Sequence, residues 1–129
     1  MVHYEIAGCV EHSDYTICER LLDIMATVLP DITVTKEPRS LSQWPPRALE
    51  IDQTFGFSVI GKRDVKVAQV LVWRLGRLAA HRAEEFQLYV AEHYGLALDL
   101  SKEQIEAYTA ANVLEVVGET PQVVDQPVE

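Results

Sequence analysis

Two cysteines in 129 residues, nine positions apart at Cys9 and Cys18, are too few for a disulfide framework. A reducing compartment is the expectation that follows. Basic residues are scarce as well. Eleven Lys and Arg stand against 20 Asp and Glu, for a formal net charge of −9 and a pI near 4.8. Such a surface repels a phosphate backbone, which argues against general nucleic-acid or anionic-membrane binding. No run approaches the roughly 20 apolar residues that a bilayer-spanning helix needs. The amino end, Met-Val-His-Tyr-Glu, lacks a basic region followed by an apolar one, so no secretory signal is expected. There is no internal repeat and no Gly-x-Gly-x-x-Gly. His3, His12, His81 and His93 are scattered, without the short Cys/His spacing of a metal site, so neither metal nor cofactor is expected. What remains is 48% hydrophobic and 24% charged, an ordinary globular composition in a chain of single-domain length.

The hydrophobic pattern changes period along the chain. Residues 2–8 suit a short strand ending at Gly8. From Asp14 onward Ile17, Leu21, Leu22, Met25, Val28 and Leu29 fall three or four apart, marking one face of a helix. Ser13 or Asp14 suits its N-cap, and Pro30 its stop. Ile32 to Lys36 alternates and is β-branched, which suits a second strand parallel to the first. Pro38, Pro45 and Pro46 exclude a long helix over Glu37–Arg47. Ala48–Ile51 and Phe55–Ile60 read as two further strands joined by Asp52-Gln-Thr54 into a hairpin. Ala68, Leu71, Leu75, Leu78, Phe86, Tyr89 and Val90 recur at helix spacing, with Gly76 a weak point and Gly95 the end. Ser101-Lys-Glu-Gln104 is a capping-box pattern that opens a last helix carrying Ile105, Tyr108 and Ala111 on one side. These elements divide into a sheet region at 1–62, a helical part at 63–117 and an acidic tail at 118–129.

Ile6-Ala7-Gly8, the helix containing Leu21-Leu22, and Val59-Ile60-Gly61 followed by Asp64 together resemble the glutaredoxin branch of the thioredoxin superfamily. A longer resemblance joins Ile-Ala-Gly, Leu29-Pro30-Asp31, Pro38 and Trp44 to Gln87-Leu88-Tyr89, Ala91–Gly95, Ser101–Gln104 and Val113–Val116. This set is similar to the amino-terminal region of the malate dehydrogenase 1B family, ciliary proteins with a degenerate thioredoxin-like module ahead of a dehydrogenase-like part. The resemblance implies an α/β fold: a thioredoxin-like mixed sheet with a shortened middle helix, followed by a C-terminal helical extension. It also implies an axonemal setting, with tubulin or radial spoke subunits as partners. Dehydrogenase activity does not carry over, because no dinucleotide fingerprint is present.

Thiol exchange needs a thiolate at a helix N-terminus, where the dipole and free amides lower its pKa. In the resemblance the attacking position falls on His12 and the resolving one on Tyr15, and neither side chain can perform that chemistry. Cys9 lies three residues early and Cys18 a full turn inside the helix, where free cysteine behaves as a small hydrophobe. A one-cysteine glutathione-dependent enzyme using Cys9, and a glutathione-transferase-like protein, are the catalytic alternatives. Gly56–Arg63 nearly spells a P-loop, but Arg63 replaces the magnesium-binding hydroxyl and the intervening residues are strand formers. Arg74, Arg77 and His81 are expected on one face of the long helix, either as a solvated strip or as a docking strip for an acidic partner. Trp44 is either packed on the sheet or displayed to a partner, and Pro46 is the candidate for the proline that precedes the third strand of thioredoxin-like folds.

Overall fold

Alternation along the first strand sends its side chains to two different cores. In β1 (Val2–Cys9), Tyr4 and Ile6 enter one apolar cluster while Ala7 and Cys9 enter another on the opposite face. A strand buried on both faces must lie in the middle of a sheet with helices on either side. The computed structural model, which describes residues 2–59 and 68–125 with side chains described through residue 116, has that arrangement. The remaining elements are α1 (Ser13–Val28), β2 (Ile32–Arg39), α2 (Trp44–Phe55), β3 (Val70–Arg74), β4 (Arg77–Ala80), α3 (Ala83–Tyr94) and α4 (Lys102–Asp125). The four strands form one mixed sheet in the order β2-β1-β3-β4. β2 runs parallel to β1, β3 antiparallel to β1, and β4 antiparallel to β3. The chain is therefore α/β.

The first 40 residues fold as their periodicity predicts. The N-cap of α1 is His12, one residue before the expected Ser13 or Asp14, and its Nδ1 accepts the Asp14 amide at 3.2 Å. The buried residues Tyr15, Cys18, Leu21, Leu22 and Met25 are the helical stripe that packs on the sheet.

The middle of the chain departs from expectation. Ala48–Ile51 and Phe55 lie in helix α2, so the expected hairpin over 48–60 does not form and a 12-residue helix stands in its place. Pro45 and Pro46 fall in its first turn, where backbone amides have no intrahelical acceptor and proline is tolerated. Pro46 thus does not precede the third strand; Ala68 and Gln69 do. Trp44, Ala48, Ile51 and Asp52 recur at spacings of four, three and one, a helical stripe that buries against Ala7, Cys9, Leu71 and Trp73. Gly56 ends α2 at a φ of 71°, which its missing Cβ permits. Residues 60–67, with the Gly61, Lys62 and Arg63 of the P-loop-like run and Asp64, lie outside the described residues.

The hairpin of the sheet is instead β3–β4, inside the region expected to be one long helix. Val70-Leu-Val-Trp73 is buried on both faces, and such a run carries no alternation to separate it from a buried helix. Leu75 and Gly76, at φ of 54° and 72°, close the two-residue turn with the twist that hairpins favour. The sheet therefore draws on both sides of residue 62. Only Ala83–Tyr94 remains of the expected long helix, and it ends at Gly95 as predicted.

Helix α4 opens on the capping box: Ser101 Oγ accepts the Gln104 amide and Gln104 Oε1 accepts the Ser101 amide. Its backbone stays helical through Asp125, into the segment expected to be a tail, while residues 126–129 lie outside the described residues. α4 lies along α1 through polar contacts. Thr16 and Thr109 hydroxyls meet at 2.6 Å, Asn112 Nδ2 donates to Glu19 at 2.9 Å, and the Arg20 guanidinium sits 3.8 Å from the Tyr108 ring centre.

Candidate functional site

The loop from β1 into α1 carries the first group of candidates. Cys9, His12 and Tyr15 come together here, with the His12 amide bonded to the Cys9 carbonyl at 3.1 Å. Their side chains diverge. His12 is 46% exposed and serves as the helix cap. Tyr15 is fully buried and its ring lies beside Gly8. A Cβ on Gly8 would stand 2.7 Å from both Tyr15 Cδ1 and the Gln69 carbonyl oxygen, so the strand end, the helix start and the head of β3 meet without spare room. The Tyr15 hydroxyl has no hydrogen-bond partner among the described residues.

Cys9 points into the cluster beneath α2, and burial pushes its thiol pKa up, with the Glu11 charge adding to the rise and backbone amides of Glu11 and His12 opposing it. Cys18 is buried on the other face, and burial followed by the Asp14 and Glu85 charges holds its thiol well above the ordinary range. Both thiols are free and kept protonated, which disfavours the thiolate that nucleophilic sulfur chemistry requires. Above this loop, an open cleft of about 450 Å³ lies between the start of α1 and α4, lined by Glu11, His12, Ser13, Glu106, Thr109 and Ala110.

Trp44 is buried, and its indole N–H donates to the Ala68 carbonyl at 2.7 Å. It is a core residue that ties α2 to the segment entering β3. A second open groove, of about 760 Å³, lies along α2 beside Arg39 and Arg47. Both arginines bind Glu37, and although burial alone would raise the Glu37 carboxyl, their hydrogen bonds hold its pKa below the usual carboxylate range. That network clamps β2 to α2.

Arg74, Arg77 and His81 do not share a helix face. Arg74 and Arg77 are direct cross-strand partners at the tip of β3–β4. His81 stands at the other end of β4, where its amide and its Nδ1 both engage Glu85 Oε1, at 2.9 and 3.0 Å, fixing the start of α3.

The sequence reading missed the surroundings of that tip. Leu75 is 83% exposed and Phe55 39%. Phe55 stacks on Phe57 with ring centres 5.4 Å apart and tilts against Trp73 at 5.5 Å. The available signal was Arg74-Leu75-Gly76-Arg77, a glycine three residues past the β-branched and aromatic run Val70–Trp73.

Among the described residues, no three His, Cys, Asp or Glu side chains group as a metal site, and no helix is long and apolar enough to cross a membrane. Neither a protein-family model nor a curated protein matches the chain.

Proposed function

We propose that this chain is a degenerate thioredoxin-like module that acts without catalysis, as an adaptor in a ciliary or flagellar axonemal complex. The β-α-β-α-β-β-α order with sheet order β2-β1-β3-β4 supports the thioredoxin-like reading, since it places a parallel β1–β2 pair before an antiparallel β3–β4 pair. The axonemal setting follows from the resemblance to the ciliary malate dehydrogenase 1B family, with doublet tubulin or radial spoke subunits as partners.

The observation that carries the reading is the fate of the two redox positions. His12 caps α1 and Tyr15 fills the core against Gly8, so the place where a dithiol would sit is used to hold the fold together. Of the two sulfurs near these positions, Cys9 is buried under α2 and Cys18 is buried on the opposite face of the sheet. Two measurements test the proposal. Tagged protein expressed in ciliated cells is expected in the axoneme after salt washing, and a diffuse cell-body distribution would overturn the axonemal part. Purified protein is expected to show no turnover in a glutathione-dependent disulfide assay. Turnover lost in Cys9→Ser would overturn the non-catalytic part.

A further inference from the structure

The tip of the β3–β4 hairpin combines three choices that cost the fold stability. Leu75 occupies a left-handed backbone conformation that favours Asn or Gly. Its side chain is 83% exposed. Arg74 and Arg77 stand directly opposite each other across the ladder, and like charges in that position repel. The described arginines elsewhere are neutralised. Arg20, Arg39, Arg47 and Arg82 each stand within 4.0 Å of a carboxylate. Among the described residues Arg74 and Arg77 form no ion pair, and Arg74 Nε is buried without a partner. In a chain of net charge −9, two unneutralised arginines side by side need a reason.

We infer that the tip Arg74-Leu75-Gly76-Arg77 is the docking element of this protein, and that its partner is an acidic peptide segment that places carboxylates against the two arginines and an apolar contact over Leu75. This deepens the adaptor reading and rests on it. Charge selects the occupant: a paired guanidinium site matches carboxylates and rejects basic segments. A Cβ on Gly76 would lie 3.6 Å from the Phe55 ring, so the turn that carries Leu75 approaches the Phe55–Phe57 stack. Strain concentrated at an exposed turn points to recognition, since no packing in the fold rewards it.

The test uses the isotope-labelled 129-residue chain and a capped probe peptide in which one Leu is flanked by Glu residues. On titration, amide resonances of residues 74–77 are expected to shift. The corresponding Gln peptide should leave them unmoved, and added salt should weaken binding. The double variant Arg74→Gln/Arg77→Gln should bind roughly tenfold more weakly. Leu75→Asn should also bind roughly tenfold more weakly while its thermal midpoint rises, separating a binding role from a folding one. Equal affinity in the arginine double variant, shifts centred elsewhere, or self-association of the chain through this tip would each overturn the inference. A negative peptide titration beside axonemal retention sinks the docking element alone. Binding without axonemal retention sinks the setting.

Discussion

Two tyrosines that are equally buried should respond with opposite signs to the loss of one oxygen. Tyr4 and Tyr15 are both fully inaccessible, and burial is the main reason that both phenols are pushed far above their ordinary pKa. The Tyr4 hydroxyl meets the Tyr89 hydroxyl at 2.8 Å and the Tyr94 hydroxyl at 2.7 Å, joining β1 to α3. The Tyr15 hydroxyl has no partner among the described residues. A buried hydroxyl without a hydrogen bond costs about 1–3 kcal/mol relative to an apolar replacement. Removing it forfeits a few dispersion contacts, together about 0.5 kcal/mol. Tyr15→Phe should therefore stabilise the protein by about 1 kcal/mol, a rise in thermal midpoint of roughly 4 °C for a chain of this size. Tyr4→Phe removes two hydrogen bonds and leaves two hydroxyls short of a partner, so it should destabilise by about 2 kcal/mol. Urea unfolding followed by circular dichroism, run on both variants and the parent, measures the two signs directly. If both variants lose stability, or both gain it, the account of the core around α1 is wrong.

Four other outcomes are expected. Gly8→Ala forces a methyl against the Gln69 carbonyl and the Tyr15 ring and should cost about 2–3 kcal/mol, read as a lower urea midpoint. Trp44→Phe loses the donor to the Ala68 carbonyl and part of the core volume, for about 2 kcal/mol by the same measurement. Because the folded state holds the Cys9 and Cys18 thiols at raised pKa, their contribution is complete below the free thiol value of about 8.5 and fades as pH climbs above it; unfolding measured from pH 7 to 10 should flatten in a Cys9→Ala/Cys18→Ala variant. Glu37 runs the other way: its lowered pKa adds stability above the ordinary carboxylate value that is lost as pH falls through the folded one, and Arg47→Gln should reduce that acid-side loss in the same assay.

Local pattern alone determined the βαβ opening, the parallel pairing of β1 with β2, the glycine stop of α3 and the capping box of α4. In each of these the hydrophobic period and the punctuating residue agree, and the contacts they specify lie close in the chain. Tertiary structure decided the middle. Ala48–Ile51 carries a short apolar pattern that a strand or a helix can satisfy, and the face offered by Ala7, Cys9, Leu71 and Trp73 selected the helix. Val70–Trp73 lost its alternation because both faces are covered, so period could not separate strand from helix until β1 supplied a ladder to pair with. That one choice moved Arg74 and Arg77 from a helix face to the tip of a hairpin and put His81 in the link between β4 and α3. The sequence showed which residues carry charge and sulfur. Only the pairing of strands distant in the chain decided which of them share a surface, because side-chain neighbourhood in a sheet is set by partners that no local window contains.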